Sequence, residues 1–361
     1  MLKPKILTRR EILLSTASVV VGDRILRAQG TPRAQLPTFS VDVEVVNVFV
    51  TVRDKNGNIV KDLAKEEFTL SEDGRMQTIR YFSRESDLPL TIGLLVDTTP
   101  SESNMLDVER KASLAFLNRM LRPEKDTAFL IQYYYEIELL QDLTSSREKL
   151  EAALNRLQPH GFGNQSGGRG PGPPGGPGAY ETALADAVYL ASDEIMKSQQ
   201  GRKALFILGD GGHIGDRGEQ AIAAAQQADT LIYSIRIYDK DFGPNNGVLG
   251  TLSRIPGIGG PGRGPGGGPP NRGPGGGMDH ARGKENLQEL SRQTGGAYFE
   301  VGKKETLDQI YSKIEEELRS QYNLGYTPDA NALNGYRRIK ITVQRKGMVV
   351  RGREGYYPHT K

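Results

Sequence analysis

Two periodicities divide this chain. Near its amino end Phe39, Val41, Val43 and Val45 alternate with polar neighbours, and Val46, Val48, Val50 and Val52 continue the alternation with its phase shifted by one. A period of two predicts a half-buried strand, and the slip predicts a β-bulge between Val45 and Val46. Asn56-Gly57 and Asp73-Gly74 are hairpin-turn dipeptides, with strand material at Ile59-Val60 and Phe68 to Leu70 and a return strand over Met76 to Phe82. Alternation comes back near the carboxyl end in Tyr322, Leu324 and Tyr326, in Ile339, Ile341 and Val343, and in Met348 to Arg351 beyond Lys346-Gly347. Residues 38–86 are too few to bury a core alone. The two ends, 38–86 and 321–358, are therefore expected to pair into one small β-sandwich. Tyr356 and Tyr357, at a strand end, are either a binding patch or core and rim packing, the commoner role.

Across 88–320 the pattern changes. Short apolar runs alternate with stretches of helical spacing, the order of a doubly wound, mainly parallel α/β sheet inserted into the sandwich. Strands are expected at 90–97, 127–135 paired with 137–140, 204–208, 231–237 and 297–301. Helices are expected at 104–120, from a Ser145/Glu148 capping box to about Leu157, after Thr182, and at 219–228, 285–294 and 306–319. Two stretches, 160–178 and 256–277, are dominated by Gly and Pro and cannot bury a core. Their places in the order put both on the face formed by the carboxyl ends of the strands, as partner-contacting arms or as tolerated surface insertions.

That face carries the candidate chemistry. The run Thr91 to Val96 ends in Asp97, followed by Thr99 and Ser101, an Asp-x-Thr-x-Ser pattern opening into a loop. Ligands of open α/β sheets bind at this edge. One carboxylate and two hydroxyls offer hard oxygens to a small divalent cation such as Mg2+, which retains water in its remaining positions. The alternative is that Thr99 or Ser101 caps the helix starting near Ser103. Further along, Thr182 stands at the mouth of a helix after a glycine-rich loop, and Asp210 ends an apolar strand and is followed by glycines.

With these residues the chain resembles the von Willebrand factor A domain, whose metal-ion-dependent adhesion site (MIDAS) combines Asp-x-Ser-x-Ser, a distant Thr, and an Asp-Gly after the fourth strand. The matching positions are Asp97, Thr99, Ser101, Thr182 and Asp210. Thr99 replaces the usual serine but keeps the hydroxyl, and Pro100 stands where glycine is common and stiffens the loop. The resemblance implies a divalent cation, Mg2+ first and Mn2+ or Ca2+ as alternatives. With one or two carboxylates around it, the cation keeps enough charge for a Glu or Asp of a protein ligand to complete its shell. The flanks VNVFVTVRDKNGNIV, DLAKEEFTLSEDGRMQTI, SQYNLGYTP and GREGYYP look like those of the VWFA-related acidobacterial domain family.

Composition narrows the classes. The 361 residues leave room for two domains, and 47 basic against 44 acidic residues, net +3, give no basic block for a nucleic-acid partner. With no cysteine and four unpaired histidines, disulfides, thiolate nucleophiles and zinc-cysteine sites are excluded. Nothing near Asp97 reads as a general base or nucleophile set for turnover, so the expectation is a binding module rather than an enzyme. A phosphatase-like use of Asp97 would need a second acid where Thr99 stands, and Gly209, Gly211 and Gly215 do not have dinucleotide-binding spacing. A metal-free envelope scaffold is the stronger alternative. Residues 1–30 read as an export signal: Lys3, Lys5, Arg9 and Arg10 precede the small and apolar stretch Ile12 to Gly22, and Thr8-Arg9-Arg10-Glu11-Ile12-Leu13 resembles a twin-arginine motif. That stretch is too short to span a bilayer comfortably. The expected location is the periplasm, the cell envelope or the exterior.

Overall fold

The computed structural model describes residues 45–84, 88–98, 106–134, 136–158, 183–212, 214–237, 275–302, 305–328 and 335–358. The leader, Phe39 to Val43 and most of the two Gly/Pro-rich stretches lie outside these residues.

The central layer is a six-stranded sheet built from β5 (Leu90–Asp97), β6 (Thr127–Tyr133), β7 (Ile137–Thr144), β8 (Arg202–Gly209), β9 (Thr230–Arg236) and β10 (Tyr298–Glu300), in the order β10-β9-β8-β5-β6-β7. All pairings are parallel except β6 with β7. Every residue of β5 is buried, as a central strand covered on both faces requires. Its pleat sends Ile92, Leu94 and Val96 to one face, where α1 (Leu106–Met120), α2 (Arg147–Leu154) and α6 (Leu307–Leu318) pack. Leu95 points to the other, under α3 (Ala183–Leu190), α4 (Gly218–Gln227) and α5 (Gly275–Thr294). Gly93 is a packing requirement, because a Cβ there would lie 2.4 Å from the Phe129 ring and 2.5 Å from Leu205. On the opposite face Phe116 stacks on Tyr311 with centroids 4.3 Å apart and tilts against Phe206 at 4.8 Å. Each such pair contributes about 0.5–1.5 kcal/mol beyond the area it buries.

Two four-stranded antiparallel sheets are built from both chain ends. With β1 (Val46–Arg53), β2 (Phe68–Glu72), β3 (Arg75–Gln77), β4 (Tyr81–Arg84), β11 (Tyr322–Tyr326), β12 (Arg337–Val343), β13 (Val349–Arg351) and β14 (Gly355–Tyr356), their orders are β13-β1-β11-β4 and β14-β12-β2-β3. Val46, Val48, Val50 and Val52 face their shared core with Leu70, Tyr322, Leu324 and Tyr326. The Asp73-Gly74 hairpin forms with φ of 47° and 79° at its two central residues, the geometry that makes the dipeptide favourable there. Buried Glu72 accepts from Arg337 Nη1 at 2.9 Å and from the Tyr356 hydroxyl at 3.1 Å, and also bonds the Tyr326 hydroxyl.

Glu317 of α6 joins sandwich to α/β layer. Fully buried, it accepts from Arg53 Nη2 at 2.9 Å, from Arg351, and from the Tyr233 hydroxyl at 3.0 Å. Arg353 adds a second tie, to Asp229 at 2.7 Å and the Asn47 carbonyl at 2.6 Å.

Several local expectations are corrected. The return strand over Met76 to Phe82 is two strands in different sheets: β3 pairs with β2, and β4 pairs with β11, with Ile79 buried between them. Apolar alternation alone does not tell a strand that it must change sheets. The cap of α2 is Ser146, not Ser145: Ser146 Oγ accepts from Lys149 N at 3.2 Å and donates to Glu148 at 2.7 Å. That helix ends at Leu154, and α5 begins ten residues before the expected Glu285. Tyr356, 4% exposed, takes the commoner of its two expected roles and belongs to the sandwich core.

Candidate functional site

Asp97 closes β5 at the carboxyl edge of the sheet and is 3% exposed. The next residue keeps the chain pinned to β6, with Thr98 N donating to Tyr133 O at 3.0 Å. On the other side lies Gly209, the last residue of β8, at φ +154°. An ideal Cβ on Gly209 would sit 2.5 Å from Asp97 Cβ and 2.9 Å from its Oδ2. The Asp97 side chain therefore occupies the room that only glycine leaves, directly beside the backbone leading into Asp210.

The Asp210 loop is fixed from two directions. Asp210 Oδ1 accepts from Gly212 N at 3.1 Å, and Asn286 Nδ2 on α5 donates to Gly212 O at 2.7 Å. Gly211 and Gly283 let loop and helix meet backbone to backbone, since a Cβ on Gly211 would lie 2.2 Å from the Gly283 carbonyl oxygen. Just beyond the loop, Arg217 bonds Asp186 in the first turn of α3 at 2.5 Å. Thus the helix that follows Thr182 is tied to the segment that follows Asp210. Thr99, Ser101 and Thr182 themselves lie outside the described residues.

One functional candidate escaped the sequence reading. Glu109, in α1, is 1% exposed, and neither carboxylate oxygen has a hydrogen-bond partner among the described residues. Burial, and then the nearby charge of Asp97, push its carboxyl up to about 8, with Arg110 opposing. The signal was present: Leu106, Glu109, Ala112, Ser113, Phe116, Leu117 and Met120 make one buried helical stripe, and Glu109 is its charged member.

The groups present suit a hard cation in type: Asp97 ends β5 and Asp210 follows β8 on the same sheet edge, and the orphaned Glu109 carboxyl stands in the first turn of α1, the helix that follows β5. Among the described residues, no three Asp, Glu, His or Cys side chains cluster tightly enough to hold a metal ion by themselves. Other ligands would have to come from hydroxyls and water. A separate cleft of about 580 Å³ lies between α5 and β12–β13, but its Arg351, Arg353 and Arg292 are already committed to Glu317, Asp229 and Glu354.

No protein-family model matches the chain, and no curated protein matches it in sequence. Solved structures do. A conserved hypothetical protein, BatB from Bacteroides thetaiotaomicron, is 14% identical over 63% of this chain and 97% of its own, with a TM-score of 0.42. A von Willebrand factor type A protein from Catenulispora acidiphila is 9% identical over 88% of this chain and 75% of its own, at 0.43. Proximal thread matrix protein 1 from the mussel byssus, solved with a zinc-occupied MIDAS motif, is 13% identical over 69% of this chain and 50% of its own, at 0.41. Similarity at this level adds nothing about the site. Numbered within the inserted layer, the strands run 3-2-1-4-5-6 with the third antiparallel, helices cover both faces, and an aspartate ends the first and central strand. By that topology the chain has a von Willebrand factor A-like fold.

Proposed function

We propose that this chain is an exported, divalent-cation-dependent protein-binding module, not an enzyme. Its cation, Mg2+ before Mn2+ or Ca2+, is held by Asp97, Thr99, Ser101, Thr182 and Asp210. The observation that carries the reading is the placement of the Asp97 side chain against Gly209, beside the Asp210 loop, at the edge where such sheets bind ligands. The cation would supply a Lewis-acidic position that a partner's Glu or Asp completes. Asp97 and Asp210 contribute the charge, and the clamp from Asn286 holds the Asp210 loop in place. Export rests on the basic and apolar leader, and no helix among the described residues is long and apolar enough to cross a membrane.

Calorimetric titration of the mature protein with Mg2+ or Mn2+ tests the site. Binding should stabilise the fold by about 2.7 kcal/mol at a hundredfold excess over Kd, and Asp97→Ala should remove both heat and stabilisation. A partner drawn from envelope extract should be released by EDTA, and a partner that stays bound in EDTA, or to Asp97→Ala, would overturn the metal bridge. A metal-free scaffold of the envelope is the second reading. It requires an unchanged melting temperature with either ion.

A further inference from the structure

A carboxyl group buried to 1% exposure with no hydrogen-bond partner is costly, by about 1–3 kcal/mol for one unsatisfied polar group and more if it is ionised. Glu109 is in this position although ordinary packing offers an easy remedy. Its stripe neighbours Leu106, Ala112, Phe116 and Leu117 are apolar and buried, so a leucine or methionine would suit the helix face better. Its place in the fold is at the site: Glu109 stands in the first turn of α1, the helix that follows the end of β5 at Asp97, and the charge of Asp97 opposes its ionisation. Arg110, the adjacent cation in sequence, does not pair with it but bonds Asp107 at 2.5 Å and the Leu157 carbonyl.

What the described surroundings lack is a hydrogen-bond donor to this carboxyl, and a hydrated cation at the Asp97–Asp210 edge would bring donors. Water polarised by a divalent ion gives strong hydrogen bonds to a carboxylate. Groups that orient and charge-balance such a shell are commonly held on neighbouring elements, and their loss costs about 10–100-fold in metal affinity. We propose that Glu109 is a positioning carboxylate of this centre, accepting hydrogen bonds from cation-bound water on the α1 side and thereby raising cation affinity. The inference rests on the metal-site reading above and adds to it a residue outside the Asp-x-Thr-x-Ser, Thr and Asp set.

The test is Mn2+ and Mg2+ titration of the purified mature protein by calorimetry, with Mn2+ binding counted independently by electron paramagnetic resonance. Glu109→Gln and Glu109→Met are compared with wild type and Asp97→Asn. Both Glu109 substitutions keep the side-chain volume, so folding is checked by melting in EDTA. Glu109→Gln is expected to weaken binding by about tenfold and Glu109→Met by more, with stoichiometry unchanged and melting in EDTA equal to or above wild type. A merely structural Glu109 would instead lower the EDTA melting temperature and leave the cation affinity alone. Affinities within twofold of wild type in both variants, while Asp97→Asn loses binding, overturn the role of Glu109 and leave the metal site standing. No binding by the wild type overturns both.

Discussion

Gly209 shows how little tolerance the candidate site has. An added methyl would collide with Asp97 at 2.5 Å, and φ of +154° is strained for any other residue. Gly209→Ala should therefore cost about 1–3 kcal/mol and abolish any stabilisation by Mg2+, as read by paired thermal melts with and without the ion. Glu109 makes a pH prediction for the protein in EDTA. Burial and Asp97 raise its carboxyl from an ordinary 4.5 to about 8, so between those values the folded state holds a proton that the unfolded chain has released. Its contribution to stability is therefore greatest below about 4.5 and is lost as pH rises towards 8, by on the order of a few kcal/mol. Melting temperatures at pH 5 and pH 8 should differ less in Glu109→Gln than in wild type, and an identical slope in the two would remove the assignment.

At the scale of elements, α6 shows how one helix serves two cores. Its Leu307, Ile310, Ile314 and Leu318 fill the α/β layer, while Glu317 meets Arg53 and Arg351 from the sandwich strands β1 and β13. Removing the fully buried carboxylate takes the shared acceptor from the Arg53 and Arg351 guanidinium groups and from the Tyr233 hydroxyl. Glu317→Ala should accordingly cost about 3–5 kcal/mol in denaturant unfolding, whereas a loss under 1 kcal/mol would mean that packing alone holds the seam. The helix itself was legible, since Thr306 and Gln309 form a capping box and the apolar spacing is regular. The burial of Glu317 was not, because its partners lie 264 residues before it and 34 after it in the chain.

For the whole molecule, the consequence of building two sheets from both ends is mutual dependence. Each sheet contains strands from before and after the inserted layer. Deleting residues 322–361 would strip β11 from β1 and β12 from β2, exposing Val48, Val50 and Leu70 along unpaired strand edges. The truncated protein should aggregate, and a soluble form with a cooperative unfolding transition would contradict the shared core. Removing residues 1–30 should leave the melting temperature unchanged, which calorimetry of the leaderless protein checks.

What the amino-acid order determined by itself is the local grammar. The buried run ending in Asp97, the helical stripes, the Asp73-Gly74 turn and the return of alternation at the carboxyl end are visible because each follows from contacts a few residues apart. From these, the doubly wound layer and the two-ended sandwich could be read. Only the tertiary structure decided which strand joins which sheet, splitting Met76 to Phe82 between two of them. It alone set the Asp97 carboxylate in the space that Gly209 leaves and buried Glu109 in the first turn of α1. The physical reason is common to all three. Close approach and desolvation are properties of surfaces brought together from distant parts of the chain, and no period along one segment encodes them.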